Sequence, residues 1–382
     1  MSSSPPADGW FAIAHGALDV RGSALFDTGA EILMVPTTPG DALCLVGAGA
    51  TLWRRLIDRA PVGDADLEPA EREMLIQMSV AGFVSRDPSH PARVLRLDPP
   101  ALSSPLHELV YALTARVAAQ HGIPCVFTKG PALFFQGLRE REHSGDVDVW
   151  CDPAQGDILA AALEPWGWSR EPDPWRGTSV HHTATMTPRG WGCEIDVHRR
   201  FPGLTLADAD ALAIVLRDAG PMRFAGVEIR VPRADTHAVL AAVHAVRPVI
   251  GAGPRTRATS DTAALLLARA PGSLDRAREL GAIGVLRDEL APLAPPGSLD
   301  GDHGVPRDWA WRAESSRARA YWAALRGEPP TTRARLLLRF VWPPDDIALA
   351  SARRAGEATD DPDRARRRRL VRGLREWLRA RG

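Results

Sequence analysis

Lysine is almost absent from this chain of 382 residues. Lysine and arginine together number 47, and because Lys129 is the only lysine, the other 46 are arginine. Aromatic residues are also scarce, at 6% of the chain. The surplus of arginine, alanine, glycine and proline indicates a biased genomic composition, so the number of arginines says little about function. A position that stays lysine against this bias needs a specific reason.

Three further absences narrow the class of protein. The formal net charge is zero, so no overall field attracts nucleic acid. The four cysteines contain no CxxC pair, which favours a reducing cytoplasm and argues against a zinc site built from cysteine. No run reaches the ~18 apolar residues of a membrane span, and the N-terminus lacks the basic and apolar regions of a signal peptide. We therefore expect a cytoplasmic protein with no membrane partner.

Hydrophobic periodicity predicts a small N-terminal unit over residues 1–92. Three β-prone runs, "ALFD", "EILMVP" and "ALCLV", precede a helix in "GATLWRRLIDRA". A second helix in "EPAEREMLIQMSVAGFVSR" leads into a short strand or wing. Residues 93–104 belong to a stretch rich in proline and serine without a period, which predicts a linker.

Residues 105–235 are predicted to form an α/β unit. The helix "LHELVYALTARVAAQHG" ends at Gly122, and the β-run "IPCVFTKG" leads into a helix that begins at Pro131. The strand "GDVDVWCD" follows, then a hairpin that turns at "PRGWG", and a further strand or hairpin in "MRFAGVEIRVP". Residues 236–382 are predicted to be helical and to end in a basic helix.

Carboxylates repeat on two of the predicted strands. Side chains alternate between the faces of a strand, so Asp146 and Asp148 share one face, and Glu194, Asp196 and His198 share another. Neighbouring carboxylates repel unless a cation lies between them. Oxygen ligands suit Mg²⁺ or Mn²⁺, and paired ions of this kind serve phosphoryl or nucleotidyl transfer.

Lys129 gains a role from its position after a strand and before Gly130 and a helix. Backbone N–H groups at such a helix start can approach a phosphate, and a lysine adds a compact positive charge. A D-x-D pair alone is more often a surface feature, and a strand–KG–helix alone is equally common. Their combination, followed by E-x-D on a later strand, favours the metal and phosphate hypothesis.

The histidines and the basic C-terminus favour structural interpretations. Neither HxH nor HxxxH spacing occurs among the histidines near the carboxylates, so surface or core positions are favoured over zinc ligation for His143, His181, His182 and His198. His237 and His244 lie seven residues apart on a predicted helix, where packing is favoured. The C-terminal helix is interpreted as a docked amphipathic helix with a solvated basic face, with RNA or phosphate contact as the alternative. Its apolar stripe is Leu370, Val371, Leu374, Trp377 and Leu378.

The segments "CVFTKGPALFFQGLREREHSGDVDVW", "CEIDVHRRF" and "DTHAVLAAVHAV" resemble the uncharacterised nucleotidyltransferase family of the DNA polymerase β superfamily. The resemblance covers about 100–270 and implies a mixed sheet with flanking helices, two Mg²⁺ ions and an NTP such as ATP. It implies that Lys129 and Gly130 bind phosphate. It also implies that Asp146 and Asp148 hold metal, and that Asp196 is the third metal carboxylate and the general base.

Two positions depart from that family's pattern. Arg141 matches the arginine expected before the first aspartate and is implied to bind nucleotide, but it stands five residues before Asp146, with His143 and Gly145 between them. Arg199 stands where the family has an aromatic residue after the Asp–x–His. The choice of nucleotide and the geometry of the arginine therefore stay open.

The N-terminal unit is similar to PqqD-like domains, which bind leader peptides in the biosynthesis of ribosomally made peptide natural products. The matching segments are "GATLWRRL" and "AGFV". This resemblance implies a winged-helix-like domain that captures a peptide as an added strand.

Three functions stay open at this point. The chain is expected to be a Mg²⁺-dependent nucleotidyltransferase that acts on a peptide or small molecule delivered by the N-terminal domain. It could instead be a stress or toxin-type nucleotidyltransferase that acts on tRNA or protein. The third hypothesis is an inactive scaffold that only binds peptide, which the intact set of three aspartates disfavours.

Overall fold

A computed structural model describes residues 9–23, 29–142, 144–250, 256–301, 304–314 and 316–379, without the side chains of 374 and 376–379. The predicted run "ALFD", His143 and the side chains of Leu374, Trp377 and Leu378 therefore lie outside the described part. The strands are β1 (Phe11–Ala12), β2 (Gly16–Asp19), β3 (Ile32–Val35), β4 (Leu43–Leu45), β5 (Val84–Ser85), β6 (Cys125–Thr128), β7 (Asp146–Cys151), β8 (Trp168–Arg170), β9 (Thr183–Pro188), β10 (Glu194–His198), β11 (Gly220–Phe224) and β12 (Val227–Val231). The helices are α1 (Gly47–Asp58), α2 (Pro69–Val80), α3 (Pro105–Gln120), α4 (Gly130–Phe135), α5 (Gly156–Leu163), α6 (Asp208–Asp218), α7 (Ala234–Val246), α8 (Arg257–Ala268), α9 (Ser273–Glu279), α10 (Ile283–Leu290), α11 (Arg307–Arg312), α12 (Arg317–Arg326), α13 (Pro330–Val341), α14 (Asp345–Arg354) and α15 (Pro362–Arg379).

A five-stranded sheet with the order β6-β7-β10-β9-β8 forms the centre of the molecule. β7 and β10 are parallel, and the other pairs are antiparallel. The predicted hairpin is present as β9 and β10, which pair with Asp196 opposite Thr185. The sheet is therefore mixed, and the predicted α/β fold class is confirmed.

The two faces of this sheet belong to different hydrophobic cores. Val147 and Val149 point to the core that includes α3 and α5, whereas Val126 and Trp150 point to the core that includes α6, α7 and the helices up to α10. Because side chains alternate along a strand, Asp146 and Asp148 share the face of Trp150. The helices of the second core, α7 foremost, thus cover the face that carries the carboxylates.

The N-terminal unit has the predicted order of strands, two helices and a short final strand. β2, β3 and β4 form a three-stranded sheet, while β1 pairs with β5. Trp53 and Leu56 of α1 and Leu75 of α2 are fully buried, and the Trp53 indole N–H donates to the Phe83 carbonyl at 2.9 Å. β1 and β2 were not predicted, because a strand of two to four residues is too short to show a clear alternation of apolar and polar residues.

The segment predicted as a linker is packed against the N-terminal strands. Val94 N–H donates to the Ala12 carbonyl at 2.9 Å, and Asp19 N–H donates to the Asp98 carbonyl at 2.9 Å. Leu18, Val20, Leu33 and Val35 lie in one hydrophobic cluster with residues of α3 and of the central sheet. The predicted linker 93–104 is thus in contact with the N-terminal strands, which composition could not show, because composition indicates polarity and turn-forming residues but not what a segment packs against.

The C-terminal part is helical, as predicted, and the two stripe residues of the last helix whose side chains are described are both exposed. Leu370 is 42% exposed and Val371 is 48% exposed. The helix is anchored instead at its start, where Ala365 is buried and the Arg366 guanidinium donates to the Pro343 carbonyl at 2.8 Å. Among the described helices, none combines the length and the apolar character that a bilayer span requires.

Candidate active site

The turn from β6 into α4 places Lys129 in an unusual backbone conformation. Lys129 has φ 60° and ψ −143°, and Gly130 has φ 52°. A non-glycine residue at positive φ costs about 1–3 kcal/mol and persists only where its surroundings hold it. A Cβ at Gly130 would lie 2.3 Å from the Tyr111 hydroxyl, so only glycine fits there.

A buried histidine on α7 holds this turn. The backbone N–H of Lys129 donates to His237 Nε2 at 2.6 Å, and His237 Nδ1 lies 2.7 Å from Gln136 Oε1. Burial lowers the pKa of His237 to about 3, so its ring is neutral. Nε2 accepts from the backbone while Nδ1–H donates to the amide oxygen. The predicted packing role of His237 thus includes a hydrogen bond that fixes the conformation of Lys129.

Asp148 is the buried centre of the site. It is 1% exposed, and its Oδ1 lies 2.5 Å from Lys129 Nζ and 2.6 Å from His198 Nε2. Burial acts to raise the pKa of Asp148, but the hydrogen bonds and charges of His198 and Lys129 outweigh it and lower this pKa to about 2. Asp148 is therefore ionised, and both His198 Nε2–H and the Lys129 ammonium donate to it.

Asp196 lies directly across from Asp148, because β7 and β10 pair in parallel with these two residues in register. Its Oδ1 accepts a hydrogen bond from the Thr185 hydroxyl at 2.7 Å. The ligand atoms of Asp148, Asp196 and His198 all lie within 4.8 Å of one another. The ring of His198 is oriented from its other side by Thr183, whose Oγ1 is 2.9 Å from Nδ1.

Asp146 shares the strand face of Asp148 but is not part of that closest cluster. Burial and the negative charge of Asp148 raise the pKa of Asp146, and the charge of Lys129 opposes this only in part. Glu194, which pairs in register with Asp146, is exposed. Of the four carboxylates on these two strand faces, the structure places Asp146, Asp148 and Asp196 on neighbouring strands in partly or fully buried positions and leaves Glu194 exposed.

Arg141, expected to bind nucleotide, is exposed on the loop between α4 and β7. Arg139 instead reaches inward and donates to the Gly130 carbonyl at 2.9 Å and to the Glu142 carbonyl at 3.0 Å. Sequence reasoning missed Arg139, since it matches no motif. It also favoured a surface or core position for His198, although a place two residues after Asp196 on one strand face is a signal for the site.

The donor set fits a hard divalent cation. Asp146, Asp148 and Asp196 offer carboxylate oxygens, the ligands that Mg²⁺ and Mn²⁺ prefer. Asp148 already attracts the ammonium of Lys129 within 2.5 Å, so positive charge is stabilised at this point. His198 could ligate only with its proton on Nδ1, where the Thr183 oxygen lies 2.9 Å away as an acceptor.

One comparison with known proteins, the match to a family model, covers the same part of the chain. Residues 106–283 match the model of a family described as "Uncharacterised nucleotidyltransferase". None of the curated proteins compared matches the chain. Two similar solved structures are the lincosamide antibiotic adenylyltransferase LnuA with lincomycin bound and the antibiotic-resistance factor ANT(2'')-Ia.

Both structures are only distantly similar to this chain. LnuA is 14% identical, with a TM-score of 0.27, and the match covers 43% of this chain and 96% of that one. ANT(2'')-Ia is also 14% identical, with a TM-score of 0.30, and the match covers 50% of this chain and 92% of that one. The family match, by contrast, spans the turn of Lys129 and all three aspartates. It supports assigning residues 106–283 to the nucleotidyltransferase superfamily, and the chain is an enzyme of the nucleotidyltransferase type.

Proposed function

We propose that the chain transfers a nucleotidyl group from an NTP, with ATP as the first candidate, to an acceptor, and that it requires Mg²⁺ or Mn²⁺. The observation that carries this proposal is the convergence of Asp148, Asp196 and His198, whose ligand atoms lie within 4.8 Å, with Asp146 on the same strand face. Asp146, Asp148 and Asp196 would hold the metal. The bound ions would neutralise the phosphates and stabilise the charge that develops on the attacking and leaving oxygens.

The reaction follows from the chemistry of an NTP. The oxygen of an acceptor hydroxyl attacks the α-phosphorus, and the bond from that phosphorus to the bridging oxygen of the β-phosphate breaks. Pyrophosphate leaves with the electron pair of that bond. Asp196 accepts the hydroxyl proton, since one of its carboxylate oxygens accepts from Thr185 and the other is left to act as the base.

The turn of Lys129 and Gly130 supplies the phosphate-binding part. Gly130 starts α4, and the N–H groups at the start of a helix, which have no partner within the helix, suit an anion. The Lys129 ammonium is held beside Asp148 at 2.5 Å and adds a positive charge next to that turn. The hydrogen bond from its backbone to His237 keeps this geometry before substrate binds.

The acceptor proposed first is a ribosomally made peptide recruited by the N-terminal PqqD-like unit. Among the described strands, β4 pairs only with β3, so its other edge is available to an added strand. A tRNA or protein acceptor is the alternative. An inactive peptide-binding scaffold is disfavoured because three aspartates and Lys129 are in place.

Incubation of the full chain with each labelled NTP and Mg²⁺ tests the proposal. A candidate precursor peptide and bulk tRNA serve as separate acceptors, and intact mass is the readout. We expect one acceptor to gain the mass of a nucleotidyl group, and the Asp148→Asn variant to transfer none. Transfer that is unchanged in Asp148→Asn would contradict the assignment of the site. If only tRNA gains mass, the acceptor is tRNA and the proposed peptide acceptor is wrong.

A further inference from the structure

Beyond the carboxylates, β10 leads into a region rich in arginine. The rings of His198 and His182 have centroids 6.4 Å apart, and His182 Nε2 lies 3.3 Å from a guanidinium nitrogen of Arg247. Arg247 follows the last residue of α7. His198 Nε2 in turn lies 2.6 Å from Asp148 Oδ1, so the two histidines connect Arg247 to the proposed metal carboxylates, and the charges of Asp148 and Asp196 act on it.

Arg312 is the last residue of α11, the helix that Asp308 holds beside the end of β10 through its ion pair with Arg200. It is 8% exposed, and its Nε has no hydrogen-bond partner among the described residues. Its guanidinium carbon lies 4.8 Å from the centroid of the Trp311 ring. Burial and the positive charge of Arg247 lower the pKa of Arg312 to about 10, which shows that the two guanidinium groups repel each other.

The acidic groups nearby do not neutralise both arginines. Asp308 Oδ2 accepts from Arg200 at 2.6 Å and is thereby committed to that residue. Neither Arg247 nor Arg312 has a carboxylate within ion-pair distance in the described part of the chain. A buried cation such as Arg312 that has no paired carboxylate is unfavourable, so this position suits an anion from outside the chain.

We propose that Arg247 and Arg312 bind the β- and γ-phosphates of the nucleotide, the part of the substrate that leaves as pyrophosphate. This inference rests on the proposed function and adds the C-terminal helices to its substrate site. Guanidinium groups suit phosphate oxygens because their planar fork donates two parallel hydrogen bonds.

The location of Arg247 favours a phosphate chain over the carboxylate of an acceptor. Arg247 lies within electrostatic reach of Asp148 and Asp196, which would hold the metal that an NTP carries. A phosphate chain that extends from those carboxylates toward Arg312 would contact both arginines in turn. An acceptor carboxylate placed there would bring no metal cation, so the negative charges of Asp148 and Asp196 would repel it.

The test measures the affinity of the full chain for inorganic pyrophosphate by calorimetry in a buffer that contains Mg²⁺, together with Tm. We expect pyrophosphate to raise the Tm of the wild type by about 3 °C or more at saturation, and succinate to leave it unchanged. Arg312→Met should weaken pyrophosphate binding on the order of 10–100-fold. It should leave the Tm without pyrophosphate equal to that of the wild type or higher, because an uncompensated buried charge is removed.

Arg333→Met is the matched control. Arg333 donates to the carbonyls of Leu325 at 3.2 Å and Arg326 at 3.1 Å, so its loss should lower Tm and leave pyrophosphate affinity unchanged. Arg312→Lys keeps the charge without the fork and should weaken affinity less than Arg312→Met does. A lower Tm with wild-type pyrophosphate affinity in Arg312→Met would overturn the proposal, as would stabilisation of the wild type by succinate alone.

The outcome separates this inference from the proposed function. In one outcome, the wild type transfers the label and Arg312→Met binds pyrophosphate as tightly as the wild type. That outcome would refute the arginine site and leave the proposed enzyme activity standing. Loss of pyrophosphate affinity in Arg312→Met without any transfer by the wild type would support the anion site and refute nucleotidyl transfer.

Discussion

At the scale of single residues, Asp146 and Asp148 lie on one strand face in opposite electrostatic environments. Asp148 is buried against two donors, Lys129 and His198, which favour its ionised form. Burial and the negative charge of Asp148 disfavour the ionised form of Asp146 and raise its pKa. The same D-x-D pattern therefore contains one carboxylate that stabilises the fold and one that destabilises it.

Asp146→Asn and Asp148→Asn are expected to differ in stability although both abolish nucleotidyl transfer. Asp148→Asn leaves the Lys129 ammonium without its partner and should lower the free energy of unfolding by about 3 kcal/mol. Asp146→Asn removes a disfavoured charge and should keep or raise Tm. Thermal unfolding without metal measures both, and equal losses of Tm would contradict the asymmetry between the two sites.

Lys129→Arg is expected to keep the fold and lose activity. Arginine preserves the ion pair with Asp148, so Tm should stay close to that of the wild type. The Lys129 side chain is only 14% exposed, and a planar guanidinium in this slot would displace the bound phosphates. A displacement of about 1 Å can lower a rate on the order of 10²-fold. Steady-state rates and Tm check this, and a wild-type rate would make the lone lysine an accident of composition.

At the scale of elements, α7 connects the proposed phosphate-binding turn with the arginine region. His237, near its start, accepts from Lys129 N–H, and Arg247 follows its end. Buried hydrophobic residues along the helix, such as Val239 and Val243, join the core under the sheet. One rigid helix thus sets the distance between two parts of the proposed nucleotide site.

The neutral state of His237 makes stability depend on pH. Its pKa in the folded chain is lowered from 6.5 to about 3, so between these values the unfolded state binds a proton that the folded state does not. Stability therefore falls as pH drops below 6.5, by about 2 kcal/mol at pH 5. His237→Gln has no titrating ring, so its stability should fall less between pH 7 and pH 5. Urea unfolding at both pH values measures this, and identical losses in variant and wild type would contradict it.

At the scale of the whole molecule, the N-terminal unit and the central sheet share one hydrophobic core. Glu108 of α3 strengthens this junction, because its carboxylate accepts from the Ala101 and Ala225 N–H groups, both at 2.7 Å. Leu18 and Leu33 are buried against the same helix. A peptide bound at the N-terminal unit would therefore lie on a rigid extension of the transferase core.

A chain that begins at residue 95 is expected to fold poorly. Its α3 would lose the cover of Leu18, Val20, Leu33 and Val35, and each such side chain contributes about 1.5–3 kcal/mol by burial. Soluble yield, Tm and nucleotide binding of the shortened chain measure this. A shortened chain as stable as the full one would show that the junction contributes little.

The sequence predicted the parts of this molecule that depend on local periodicity. The strand face of Asp146 and Asp148, the hairpin ending in Asp196 and the turn at Gly130 follow from alternation and glycine chemistry. The packed segment 93–104 and the arginine pair could not be predicted, because both depend on contacts between residues far apart in the chain. Arg312, more than 150 residues after Asp148, resembles any other arginine until the helices fold over the sheet.

The lone lysine gives the protein a chemical handle at its proposed centre. Apart from the N-terminal amine, Lys129 is the only primary amine in the chain, and its ammonium is engaged by Asp148. Any reagent that acylates or reductively alkylates amines would therefore modify one side chain, and that side chain lies beside the phosphate-binding turn. A nucleotide bearing an aldehyde would form an imine with this amine and release water, added cyanoborohydride would reduce the imine to a stable amine, and a single tryptic digest would then report whether the site was occupied.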